Sequence, residues 1–132
     1  MITSDNAFIS IRLRFRPDAR IGPGKIAILE AIHRTGSIAA AGREMGMSYR
    51  RAWLLIDALN ATFDAPVVLA SPGGAHGGGA TLTDTGHELV RAYRSMEADA
   101  IRSARRHFAR LERRIRDEID QARTVAEPPP AR

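Results

Sequence analysis

Apolar and polar residues alternate over residues 8–15. Ile9, Ile11, Leu13 and Phe15 fall on one side and Ser10, Arg12 and Arg14 on the other. A period of two predicts a half-buried strand, ended by Pro17 and Asp18. The period then lengthens. Over 25–34, Ile28, Leu29 and Ile32 recur at helical spacing, and Gly36 stands where a helix stops in the left-handed conformation. Ser37 is placed to cap a second helix over 38–45, short and rich in alanine. Gly46 and Met47 break it, and Ser48 is placed to cap a third, from Tyr49 to about Thr62. Its buried stripe is Ala52, Leu55, Ile56, Leu59 and Phe63. Two strands follow, over 67–71 and 80–83, around the glycine-rich residues 72–79, which reads as a hairpin.

The remaining pattern predicts one long helix, from Asp84 or Thr85 to about Ala122. Its apolar positions are Leu89, Tyr93, Met96, Ala100, Ala104, Phe108, Leu111, Ile115, Ile119 and Ala122. They recur on average about every 3.7 residues, which keeps a seam nearly straight. A helix of nearly forty residues runs roughly 55 Å, more than a small domain covers. The exposed seam needs a partner, and a second copy of the chain is the simplest one. The expected dimer contacts are Leu89, Tyr93, Met96, Ala100, Ala104, Phe108, Leu111, Ile115 and Ile119. The triple proline near the C-terminus cannot continue a helix and reads as a disordered tail.

The order strand, helix, helix, helix, strand, glycine-rich loop, strand, long helix is that of a winged helix-turn-helix. The fold class is therefore mainly α with a small β-sheet: a winged helix-turn-helix followed by a long C-terminal dimerisation helix. Residues 1–83 form the DNA-binding domain, 84–123 the helix and 124–132 the tail. In the core of the motif, small residues on the first helix (Ala40, Ala41) permit a close crossing, and Gly46 permits the sharp turn. The next helix presents Tyr49, Arg50, Arg51 and Trp53 near its N-terminus. Arginine can bridge the O6 and N7 edge of guanine or pair with phosphate, and the helix start with Ser37 or Ser48 nearby favours phosphate. Trp53 fits either the core or a sugar and base contact.

Charge agrees with this picture. The 132 residues carry 20 Lys plus Arg against 15 Asp plus Glu, a net charge of +5. All but Lys25 of the basic side chains are arginine, whose fork suits phosphate. Duplex DNA is thus the first partner to consider, although charge alone would equally serve solubility. The glycines of the loop, with His76, form a second expected contact: Gly74, Gly77 and Gly78 let backbone amides approach a phosphate. The loop leads to a strand and lacks Gly-Lys-Ser/Thr, so it is no nucleotide cradle.

The segment from about Phe8 to Ile101 resembles the N-terminal domain of the ModE-type molybdate-responsive regulators, relatives of the LysR-type DNA-binding domain. The resemblance rests on Gly36-Ser37-Ile38, on Ser48-Tyr49-Arg50-Arg51-Ala52-Trp53, on the run from Gly73 to Ala80, and on Leu82-Thr83-Asp84-Thr85-Gly86. It implies operator binding as a homodimer, with Ser48, Tyr49, Arg50, Arg51 and Trp53 at the major groove or its backbone and the wing glycines beside it. It also implies regulation, as a repressor, of genes for molybdate or related oxyanions. Family members carry a C-terminal molybdate-binding module of small β-barrels. This sequence leaves no room for one after the long helix, so direct molybdate sensing is not an expectation, and a separate oxyanion-sensing protein is a further candidate partner.

Other chemistry is sparse. No cysteine is present, which excludes disulfides and thiolate metal sites. His33, His76, His87 and His107 fall at no metal-ligand spacing and suggest no metal or cofactor. No nucleophile-base set or carboxylate pair stands out, so no enzyme activity is expected. No apolar run spans a bilayer and no signal peptide is apparent, so a cytoplasmic protein is expected. The alternative function is a protein-interaction module whose long helix docks a separate sensor or partner.

Overall fold

The computed structural model describes residues 9–71, 79–115 and 129–130. The elements run β1 (Leu13–Arg16), β2 (Ala19–Ile21), α1 (Pro23–Thr35), α2 (Ile38–Glu44), α3 (Tyr49–Thr62), β3 (Val68–Ala70), β4 (Ala80–Leu82) and α4 (Asp84–Glu112). The strands form two separate antiparallel pairs, β1 with β2 and β3 with β4. Residues Ser10–Asp99 form one compact unit, and the part of α4 from Ala100 onward belongs to a second.

Helix α1 is the centre of the first unit. Pro23 starts it at a position where the missing N–H is no loss, and Gly36, at φ 70°, ends it by donating to the Ile32 carbonyl at 2.7 Å. Between them Ile26, Ile28, Leu29, Ala31 and Ile32 are all buried. Around α1 gather Ile21, Ile38, Ala41, Ala52, Ile56, Leu59, Val67, Val68, Ala80, Leu89 and Tyr93, making one continuous apolar core.

The N-terminal strands differ from the sequence pattern. The alternation over 8–15 is only partly strand. Its hydrogen-bonded part is Leu13–Arg16, and the partner β2 lies immediately beyond Pro17 and Asp18, which form the turn. Three residues are too short for periodicity to mark. Phe15 is exposed rather than inward-facing. Among the described residues helix α4 runs Asp84–Glu112. Arg114 and Ile115 donate to Leu111 and Glu112, three residues back, and residues 116–122 of the expected helix lie outside the described residues.

Helix α4, at 29 residues, is about 44 Å long. Its apolar positions have two different fates. Leu89 and Tyr93 are buried in the core of their own unit. The expectation that these two face a partner is corrected: they fasten the start of α4 to α1 and the first strand. Met96, Leu111 and Ile115 are exposed, and Ala100, Ala104 and Phe108 are half-buried. Ile119 lies outside the described residues.

Candidate nucleic-acid interface

The site is built on two capped helix starts. Ser37 Oγ accepts from the Ala40 N–H at 3.1 Å, and Ser48 Oγ accepts from the Arg51 N–H at 3.1 Å. Each cap satisfies one of the free N–H groups of a helix start. Between them, Met45 ends α2 and Gly46 adopts φ 68°, which only glycine takes without strain. Met47 then donates back to the Gly42 carbonyl at 2.9 Å. The helices cross most closely at Gly42: a Cβ there would lie 3.2 Å from the Ala52 Cβ. Among the small residues of α2, Ala41 and Gly42 are buried while Ala40 is half-buried. The pattern of small residues pointed to α2, but a backbone register was needed to pick out Gly42.

Helix α3 divides cleanly. Ala52, Ile56 and Leu59 are buried. Tyr49, Arg50, Arg51 and Trp53 are exposed, with Tyr49 at 59% and Trp53 at 46%. Trp53 is therefore no core filler. It borders a small hollow of about 110 Å³ with Asp57, Asn60, Val68 and Ala70. Tyr49, one turn earlier, borders another of about 150 Å³ with Ser37, Ala39, Ser71 and Gly79. The exposed face of α3 is thus continuous with the cap of α2 and the base of the β3–β4 hairpin.

That hairpin is held in place by backbone bonds. Ala80 N–H donates to the Gly36 carbonyl at 2.9 Å, and Ser71 N–H to the Gly79 carbonyl at 2.7 Å. On the other side, Asn60 of α3 forms a fork. Its Oδ1 accepts from the Val67 and Val68 N–H groups at 2.8 and 3.1 Å, and its amide donates to the Val68 carbonyl at 3.2 Å. The sequence reading passed over Asn60, which carries a weak signal: a poor helix former inside an otherwise regular helix. The expected loop contacts Gly74, His76, Gly77 and Gly78 lie outside the described residues.

Electrostatics near the turn are simple. Arg34, at the end of α1, pairs with Glu44, at the end of α2, so that arginine is committed to joining helices. Arg50 and Arg51 make no ion pair among the described residues. His33 and His87 meet edge to face with ring centroids 4.9 Å apart, although 54 positions of chain separate them. Among the described residues no group of three His, Cys, Asp or Glu side chains could hold a metal ion, and no helix is long and apolar enough to cross a membrane.

Comparison with known proteins agrees with this geometry. Residues 24–87 match the family described as bacterial regulatory helix-turn-helix protein, lysR family. Those residues span α1 through the first turn of α4. The molybdenum-pterin-binding protein MopB of Rhodobacter capsulatus is 53% identical over 83 residues, which is 63% of this chain and 31% of the relative. The molybdenum transport protein ModE of Azotobacter vinelandii is 43% identical over 75 residues, covering 57% of this chain and 28% of the relative. The DNA-binding transcriptional dual regulator ModE of Escherichia coli K12 is 33% identical over 87 residues, covering 66% and 33%. The chain spans about a third of the length of these curated relatives. The matched segment is thus similar to the lysR-type regulatory helix-turn-helix and to part of these ModE-like relatives.

Proposed function

We propose that this lysR-type helix-turn-helix chain binds duplex DNA sequence-specifically, as a homodimer, and represses genes concerned with molybdate or a related oxyanion. One observation carries the reading: the first turn of α3 starts from a capped Ser48 and exposes Tyr49, Arg50, Arg51 and Trp53 together. A helix presented in this way enters the major groove, where arginine reads guanine and the flanking groups position phosphates. Ser37 and the base of the hairpin border the same surface, which suits a wing resting on the backbone beside the groove. The names of the relatives, a molybdenum-pterin-binding protein and a molybdenum transport protein, support the molybdenum connection.

Exposed apolar side chains on α4 support the homodimer reading. Leu111 is 59% exposed and Ile115 47%, and Met96 is exposed as well. Within the part of α4 from Ala100 onward, Ala100, Ala104, Phe108 and Leu111 offer an apolar seam that a second copy would cover. Two copies would set two recognition helices on half-sites one or more DNA turns apart.

Fluorescence anisotropy with duplexes recovered from a genomic pull-down tests the reading. The expected result is a saturable complex of two chains per duplex whose affinity falls steeply with salt. Arg50→Ala with Arg51→Ala weakens it by about tenfold or more. An unchanged affinity in that variant overturns the assignment of α3, and a monomer by analytical ultracentrifugation overturns the dimer.

A further inference from the structure

Arg14 and Arg20 stand directly opposite each other in the β1–β2 ladder, and both are exposed. Like charges facing across an antiparallel pair destabilise it. Neither has an acidic partner among the described residues. Arg16 takes the nearby Asp18 at 3.2 Å, while Arg20 Nε donates to the Pro17 carbonyl at 2.9 Å. Arg12, also exposed, lies just before β1. Its Cγ sits 3.5 Å from where a Cβ on Gly22 would be, so its stem lies over the bare glycine. Arg12, Arg14, Arg20 and Gly22 border a cavity of about 430 Å³, floored by Leu13 and Ile21. The first turn of α1 holds no acidic side chain that would neutralise them.

We propose that this arginine face binds a free tetrahedral oxyanion. Guanidinium forks donate paired hydrogen bonds to such an ion, and its charge offsets the repulsion between Arg14 and Arg20. A free ion is favoured over the DNA backbone by position. Gly22 and Gly36 mark opposite ends of the 13-residue α1, about 20 Å apart. The Ser37 cap and the hairpin base, where DNA is proposed to sit, belong to the Gly36 end. The oxyanion site does not depend on that DNA reading.

The test titrates the full chain with sodium molybdate, sulfate or phosphate against sodium chloride of equal ionic strength, followed by amide NMR and thermal melting. At least one oxyanion produces saturable shifts centred on residues 12–22 and raises the melting temperature above the chloride control. Arg14→Gln with Arg20→Gln weakens the apparent affinity about tenfold or more. In low salt that variant melts higher than the parent, because the facing charges are gone. Arg16→Gln keeps the response. Shifts that never saturate, that chloride reproduces, or that survive in the double variant overturn the proposal. A duplex titration separates the two sources of phosphate-like charge: the double variant keeps its DNA affinity at fixed salt, and a loss as large as that of the Arg50 and Arg51 variant overturns the free-ion assignment.

Discussion

The Tyr93 hydroxyl donates to the Ile11 carbonyl at 2.6 Å, joining two residues 82 positions apart in the chain. Tyr93 is fully buried, so its phenol needs this partner. The bond pins the third turn of α4 to the segment leading into β1. Tyr93→Phe keeps the packing and leaves the Ile11 carbonyl unpaired, which is expected to cost about 1–3 kcal/mol by denaturant unfolding. Burial also raises the Tyr93 pKa, with Glu97 adding to the effect. The sign follows directly. The folded state disfavours phenolate, so this stability is fully present below the ordinary tyrosine pKa and is lost as pH rises through the raised one. Alkaline unfolding curves should therefore be flatter for Tyr93→Phe than for the parent.

Asn60 holds the hairpin base against α3 through three hydrogen bonds. Asn60→Ala strands two backbone N–H groups and a carbonyl. The expected loss is about 2–4 kcal/mol, with faster hydrogen exchange at Val67 and Val68. Exchange at α1 that rises equally would show that the hairpin does not open by itself.

Gly86, in the first turn of α4, has no room for a side chain. A Cβ there would lie 2.2 Å from the Val67 carbonyl oxygen, and that oxygen already accepts from the Thr83 N–H at 3.0 Å. Backbone cannot yield as a side-chain tip can. Gly86→Ala is expected to destabilise by about 3 kcal/mol or more, despite alanine's better helix propensity. A melting temperature equal to the parent's would refute the close approach.

Glu30 of α1 and Arg94 of α4 form a two-pronged pair at 2.5 and 3.1 Å, and Arg94 also reaches Glu97 at 2.6 Å. The hydrogen bond from Arg94 holds the Glu30 carboxyl below its ordinary pKa, against the opposing effect of burial. A lowered pKa contributes stability that is present above the ordinary glutamate value and is lost as pH falls through the lowered one. Arg94→Gln should remove part of the stability difference between neutral and acid pH. The effect is small, because both side chains are partly exposed.

Trp53 separates a contact from a core role. Trp53→Ala on the exposed face of α3 should leave the melting temperature within a few degrees of the parent. It should weaken duplex binding by about threefold to thirtyfold through lost stacking and packing on sugar or base. A large fall in stability would place the indole among structural residues.

Much was legible in the chain itself because it is written in local chemistry. Gly36 and Gly46 mark left-handed positions, Ser37 and Ser48 mark helix starts, and the apolar period of α1, α3 and α4 declares helices. Those signals are sufficient for the order of every element except β2, and with it the exposed arginines at the start of α3. Tertiary packing decided what no window of sequence contains. It divided the seam of α4, burying Leu89 and Tyr93 in their own core while leaving Met96 and Leu111 uncovered, because a regular stripe records apolarity and not what covers it. It paired the three-residue β2 with β1, setting Arg14 against Arg20, since so short a strand exists only through its partner. It also brought His33 to His87, a contact whose geometry depends on how α1 and α4 meet.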